Sequence, residues 1–253
     1  MTIGSVRVRP QPRLKRPARG SLGVAILLSA IMLLLATPLF GQQEYVTRYD
    51  AYVGYSYLNS SNISLVEHGV QAQFGVRPWT WLSIGADYTH ASGDLTLTPN
   101  LLLPSIQQTL GAQLGQLAAA GYLPAGYSLV VPASSTTQTF TLGPQLAYRH
   151  FTHLTLFFRP TAGGIHEVAT PHAGDPISAG IVAQLAPTGK KSDTTIFYGF
   201  GGGFDVLLTN HFAIRTQADL VRDHLFNDLL TDARWTVRFS IGPAFNFGKN
   251  IVK

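Results

Sequence analysis

The chain has 253 residues and no cysteine, which excludes a disulfide framework, a thiolate metal site and a lipidated N-terminal cysteine. Its formal charge of +5 would suit an acidic partner, but six of its 18 basic residues lie in the first 41 positions, where no Asp or Glu occurs. Without that leader the balance is 5 − 6 = −1, and nucleic-acid binding loses its support. Charged residues make up 12% of the chain and aromatics 11%. A soluble surface carries roughly a quarter to a third charged residues, so this composition suits contact with lipid.

The leader comes first. Arg7, Arg9, Arg13, Lys15, Arg16 and Arg19 precede an apolar run from Leu22 to Leu35, and the small residues Ala36 and Gly41 follow. This is the layout of a secretory signal peptide over residues 1–41, cleaved after Gly41. The alternative is an uncleaved anchor, since Ser21 to Phe40 is nearly long enough to span a bilayer. Residues 42–48 read as a short lead-in, and about 210 residues remain for a single β domain.

Alternation of apolar and polar residues then predicts strands. The first covers Tyr49 to Leu58, with Tyr49, Ala51, Val53, Tyr55 and Tyr57 opposite Asp50, Tyr52, Gly54 and Ser56. The second covers Glu67 to Arg77, and a tight Pro78-Trp79-Thr80 turn leads into the third, Leu82 to Ala91. A long insertion, residues 92–137, carries its own helical signal. Ser105 reads as an N-cap with Gln108 three positions on, a capping-box pattern. Ile106, Leu110, Leu114 and Leu117 fall on one stripe, and Gly121 can end the helix. Two readings of that stripe stand: a lid folded over a barrel mouth, or a docking face for a partner protein, a second copy or outer-leaflet lipid.

Gln138 to Arg149 forms the fourth strand and Leu154 to Ile165 the fifth. After a second loop, residues 166–194, the sixth covers Thr195 to Leu208, and the seventh covers Phe212 to Arg222. In the eighth, Trp235, Val237, Phe239 and Ile241 alternate with Arg234, Thr236, Arg238, Ser240 and Gly242. The barrel would close at Phe247, leaving a tail of residues 248–253. Short links after strands two, four and six alternate with longer ones after the odd strands, as in a transmembrane barrel.

The two faces carry different chemistry. Tyr57, Tyr88, Tyr198 and Trp235 gather at one end of the apolar face, and Tyr49, Trp79, Trp81, Tyr148, Phe212, Phe245 and Phe247 at the other, as two membrane interfaces require. On the opposite face, Asp87, Arg159, Asp205, Arg215, Asp219 and Arg238 point into a barrel too narrow for an open channel. Unpaired charges there would be costly, so ion pairs are expected, either as a fixed plug or as a switchable gate. The apolar cavity of a soluble eight-stranded carrier would not tolerate those charges. The predicted fold is therefore all-β: an eight-stranded antiparallel transmembrane β-barrel with short periplasmic turns, long extracellular loops and a short helix in the second loop.

Residues Tyr49 to Phe247 resemble the small outer-membrane barrels of the OmpA and opacity type. The likeness is carried by Gly201-Gly-Gly-Phe-Asp205 through Thr209-Asn-His-Phe to Arg215 and Asp219, and by Phe74-Gly75-Val-Arg77-Pro-Trp79 through Gly85-Ala-Asp87-Tyr88. Ser240, Gly242, Phe245 and Phe247 resemble the C-terminal signal read by the barrel-assembly machinery. The resemblance implies the outer membrane of a Gram-negative-type bacterium, with outer-membrane lipid and that machinery as partners. It also implies a non-enzymatic structural, envelope-stabilising or adhesive role, with a small gated pore as the alternative. With the sequence ending six residues after the barrel, the peptidoglycan-binding domain of full OmpA proteins is not expected.

No nucleophile elbow, phosphate loop or HExxH motif occurs. Some outer-membrane barrels modify lipid A with Ser and His near the outer leaflet, and for that distant alternative the residues would be His90 with Ser92 or His166 with Glu167. His68, His90, His166, His172 and His224 fall at the outer rim with Glu167, Asp175 and Asp223, in spacings that match no metal-ligand motif. No catalytic residue, cofactor or metal site is assigned.

Overall fold

A computed structural model describes residues 43–60, 63–231 and 234–252, with the Arg234 side chain excepted. The leader read as a signal peptide, residues 1–41, lies outside the described residues.

Eight strands close into one antiparallel barrel in sequence order: β1 (Thr47–Ser60), β2 (Leu65–Trp79), β3 (Leu82–Leu97), β4 (Val131–Tyr148), β5 (Leu154–Pro171), β6 (Lys191–Leu207), β7 (Phe212–Asp223) and β8 (Arg234–Asn250). Closure is made by β8 against β1, with Tyr49 opposite Phe247 and Ser56 opposite Ser240. Both ends of the described barrel, the start of β1 and the end of β8, therefore lie at the short-turn end, as an even number of strands requires. Lead-in and tail are tied together there: the Val46 N–H donates to Asn250 Oδ1 at 3.0 Å, and the Ile251 N–H to the Val46 carbonyl at 2.8 Å. Gln43 tucks into the same end, its Nε2 donating to Thr155 Oγ1 at 2.9 Å.

Side chains alternate across the wall because successive Cβ atoms of a strand point to opposite faces. Val53, Val70, Phe74, Ile84, Phe140, Leu142, Phe158 and Phe200 lie on the outside, each about half exposed. Trp79, Trp81 and Tyr148 sit outward at the turn end, and Tyr88, Tyr198 and Trp235 outward toward the loop end. The interior holds Arg77, Arg159, Arg215, Arg238, Asp50, Asp87, Asp205 and Asp219, all buried.

The strands run past their expected loop-side ends. β3 continues six residues beyond Ala91, β4 starts at Val131, β5 reaches Pro171 and β6 starts at Lys191. The insertions are accordingly shorter than 92–137 and 166–194, and the first loop-end connection spans only residues 61–64. Within these extensions the two faces exchange polarity. Along β3 the outward residues change from Ile84 and Tyr88 to His90, Ser92, Asp94 and Thr96, while the inward ones change from Ser83, Asp87 and Thr89 to Ala91, Leu95 and Leu97. On β4, Val131 and Ala133 likewise face inward and Thr136 and Gln138 outward. The alternation continues with its phase reversed, as it must once the outside of the wall meets water and the inside meets a core.

That core is closed from above by two helices, α1 (Pro104–Ala119) and α2 (Pro176–Leu185), and by residues 224–230. α1 begins two residues earlier than its sequence suggests. Leu103 is the N-cap, Pro104 takes the first helical position, and no side chain caps it, so the Ser105/Gln108 capping box does not form. Pro104 supplies the start instead, since its fixed φ suits the first turn and it has no N–H to leave unpaired. The C-terminus ends as expected at Gly121, whose φ of +76° is left-handed. The Tyr122 N–H donates to the Leu117 carbonyl at 2.9 Å and the Gly121 N–H to Ala118 at 3.0 Å, a Schellman closure. α2, unforeseen in the sequence, has the capping box that α1 lacks, between Asp175 and Ser178.

Candidate functional site

The interior is built in layers. At the turn end, Arg215 grips Asp205 with two nearly parallel hydrogen bonds, Nε to Oδ1 at 2.7 Å and Nη2 to Oδ2 at 2.9 Å. Its Nη2 also lies 3.1 Å from Asp50 Oδ2, and Asp50 Oδ1 lies 3.3 Å from Arg77 Nη2. Arg77 completes its set on Asn246 Oδ1 at 2.9 Å and the Thr47 carbonyl at 3.1 Å. The Arg215 guanidinium lies over the rings of Phe157 and Tyr52, 5.2 and 5.7 Å from their centroids.

A second group gathers around Arg238. It donates to Asp219 Oδ2 through Nε at 3.0 Å and Nη2 at 2.7 Å, while Nη1 reaches Asp87 Oδ1 at 3.3 Å, Thr89 at 3.0 Å and Thr139 at 3.2 Å. Arg159 pairs with Asp87 and lies 3.9 Å from Asp219 Oδ1. Glutamines contribute further cross-lumen bonds, with Gln217 donating to Gln71 at 3.0 Å and Arg215 to Gln73 at 3.1 Å. Each group contains two Arg and two Asp and is electrically neutral. Neutral, mutually hydrogen-bonded groups of this kind tolerate burial that no single charge would.

The six inward charges named from the sequence fall into two groups. Asp87, Arg159, Asp219 and Arg238 form one, and Asp205 and Arg215 join Asp50 and Arg77 in the other. Asp50 and Arg77 lie on the polar phase of their strands, which was the signal available for including them. The strand spacing that lets β6 reach Asp219 depends on Gly201, where a Cβ would strike the Asp219 carboxylate.

Above the charges lie Glu67 and Glu167, both buried. Glu67 accepts from Thr137 Oγ1 at 2.9 Å and Glu167 from Ser135 Oγ at 3.3 Å. Higher still is the apolar core, including Leu65, Leu95, Leu129, Val131, Ile165, Phe197 and Leu225. The stripe of α1 turns down onto it. Leu110 is 3% exposed, Ile106 and Leu114 pack beside it, and Leu117 is half-buried. The stripe is thus turned toward the core at Leu110, Ile106 and Leu114, where burial removes apolar surface from water. The lid is fastened by the Leu103 N–H donating to the Leu229 carbonyl at 2.8 Å and by Tyr127 Oη donating to Asp175 at 3.1 Å.

Beneath the lid is a cavity of about 80 Å³. Leu110, Leu129, Val131, Ile181 and Leu230 wall it, Glu167 lies at its edge, and its partly exposed side is formed by Thr98, Pro99, Leu185, Leu229 and Lys191. Lys191 is itself paired with Asp228.

The histidines stay apart. His68 is hydrogen-bonded to Tyr55, His166 to Thr194 at 2.7 Å and His172 to Ser134 at 2.9 Å. Among the described residues, no three His, Asp or Glu side chains converge as metal ligands would. His166 and Glu167 point to opposite faces of β5, so they cannot act as a dyad, and His90 and Ser92 are exposed on the outer face of β3. In the C-terminal pattern, Ser240 is buried inward, while Phe245 is half exposed outward and Phe247 stacks on Tyr49 at 5.6 Å. At Gly242, on β8, a Cβ would run into the Val53 carbonyl and the Gly54 Cα of β1.

A closed even-stranded barrel with an apolar outer girdle, aromatic belts at both ends and a polar interior is a transmembrane barrel, and its place is the outer membrane of a Gram-negative-type envelope. Its architecture is that of a small eight-stranded antiparallel barrel.

No protein-family model matches the sequence, and no curated protein does. Solved structures with a similar fold include Ail, the attachment invasion locus protein of Yersinia pestis, in complex with the heparin analogue sucrose octasulfate. It is 12% identical over 80% of this chain and 99% of that one, with a TM-score of 0.45. Neisserial surface protein A is 11% identical over 79% and 96%, with a TM-score of 0.48. OprG from Pseudomonas aeruginosa is 10% identical over 82% and 99%, with a TM-score of 0.41. Likeness at this level concerns the fold alone.

Proposed function

We propose that this protein is a closed, non-conducting barrel without enzymatic activity, acting as a structural or surface-interaction component of the outer membrane. The observation that carries the reading is the pair of neutral Arg–Asp groups spanning the lumen, with every cation and carboxylate engaged by a partner on another strand. A path for ions would have to break several buried, charge-assisted hydrogen bonds at once, each stronger than a neutral one. Gln43 and Arg149 occupy the periplasmic end and the lid covers the extracellular end, so three separate obstructions lie in series.

Planar-bilayer recording tests this on two forms of the purified barrel, the full chain and a variant with residues 98–130 replaced by a short Gly-Ser linker. Both are expected to be electrically silent, because removing the α1 part of the lid leaves the charged groups in place. Steady conductance from the full chain would establish the pore reading. Conductance only from the shortened form would make the second loop a gate. Either result overturns the closed barrel.

A further inference from the structure

We infer that the cavity beneath the extracellular lid is a binding site for a small, uncharged, apolar molecule no larger than about one benzene ring. Protein cores are close-packed, and voids larger than a water molecule are few. This one persists at the meeting point of three independent chain segments, α1, α2 and residues 224–230, each of which contributes a side chain to its wall: Leu110, Ile181 and Leu230. Leu129, in the loop before β4, and Val131, at the start of β4, complete the wall. Water gains little there, since a buried water needs two to four polar partners and the walls offer almost none. Dry apolar cavities take up benzene or xenon for that reason, an engineered void of roughly 150 Å³ being sufficient for benzene. At about 80 Å³ the space is smaller, but Thr98, Pro99, Leu185, Leu229 and Lys191 in its lining are partly exposed, so it is not walled in by buried side chains alone.

The surrounding charges fix the class of ligand. Glu167 at the inner edge is buried and already bonded to Ser135, so an anionic ligand would meet a carboxylate. Lys191 at the outer edge is paired with Asp228, so this lining cation is not free to draw a carboxylate or phosphate in. An acyl chain of outer-leaflet lipid is too long for the space. Below, the Arg–Asp groups stop anything that enters from passing on, so the site holds its ligand rather than conducting it. This last point rests on the closed-lumen reading, whereas binding itself does not; a conducting barrel would remove the former and leave the latter to its own test.

The test is a benzene titration of methyl-labelled barrel in detergent micelles, followed by NMR. The methyl signals of Leu110, Leu129 and Ile181 are expected to shift along a saturating curve, while those of Val53 and Val70 on the membrane face drift linearly as benzene enters the micelle. Ala169→Leu, which adds carbons to the cavity wall, should weaken saturable binding at least tenfold. Because Ala169 lies in β5 and its replacement can disturb the strand, Leu129→Phe on the loop segment is the second variant, with the same loss expected. Heat-modifiable migration on gels serves as the folding check for both. Linear shifts alike on both faces would overturn the proposal. So would saturable binding left unchanged by both substitutions.

Discussion

Arg238 shows how much of the lumen depends on single side chains. It holds Asp219 through two nitrogens and reaches Asp87 across the barrel, and it is almost fully buried. Arg238→Ala is expected to destabilise the barrel by about 3–5 kcal/mol, the usual cost of leaving a buried partner uncompensated. Lys249→Ala, at an exposed position, should change little. Unfolding midpoints in urea decide the matter, and equal, negligible changes from both would refute the inward assignment. That Arg238 faces inward was legible from the alternation of β8. Which carboxylate it meets was not, because residues directly opposite one another, such as Asp219 and Arg238, are set by strand register, and register depends on the whole closed sheet. The membership of Asp50 in the other group has the same origin, since Arg77 and Arg215 come to it from β2 and β7.

Among the elements, the helices and strand ends separate what local sequence can specify from what it cannot. The amphipathic stripe and the terminating glycine of α1 were readable, but its start was not, because Pro104 competed with Ser105 for the role and won through backbone geometry alone. The loop-side strand ends were misplaced for a different reason. Past Ala91 the apolar residues move from the outer face to the inner one, so a pattern followed on one face seems to stop while the strand continues. α2 leads to a test in solution. The Asp175 carboxylate accepts from the Ser178 N–H at 2.9 Å and the Ile177 N–H at 2.8 Å, and these bonds hold it below its ordinary value of 3.8. A carboxyl lowered in the folded state contributes stability that is present above its ordinary value and lost as pH falls through the lowered one. α2 and its Tyr127 contact should therefore stay intact through mildly acidic conditions and loosen only in stronger acid. Asp175→Ala should loosen them at neutral pH. Hydrogen exchange of the Ile177 and Ser178 amides would reveal this, and equal protection in both proteins at neutral pH would remove Asp175 as the cap.

For the molecule as a whole, the decisive contact is the seam of β8 with β1, which links the two ends of the described barrel. Phe247 stacks on both Tyr49 and Phe245 beside that seam, and Gly242 allows the strands to come close. Phe245→Ala combined with Phe247→Ala is expected to leave protein unassembled in the periplasm, as it would if the barrel-assembly machinery reads this pattern. Wild-type amounts of heat-modifiable protein in the membrane would show that the signal lies elsewhere. The barrel itself, its strand count and the sense of its faces were legible because three features agreed: alternation, the rhythm of connection lengths and the aromatic ends. The lidded core was not, because its residues come from β2 through β7, both helices and the loops between them, and no single stretch of sequence contains it.

The exchange of polarity along the strands also sets how far the protein rises. On β3 the outer face becomes polar at His90 and the strand ends at Leu97. At about 3.3 Å per residue and a tilt of roughly 40°, that places the lid some 15–20 Å beyond the aromatic belt. In an outer membrane this height is occupied by the sugars of lipopolysaccharide rather than by its acyl chains. The tower standing in that hydrated coat presents Ser92, Asp94 and Thr96 sideways to carbohydrate, and only the top of the lid looks outward. Whatever meets this protein from outside the cell does so through a sugar forest, and an antibody or phage tip would reach α1 and α2 long before it could touch the barrel wall.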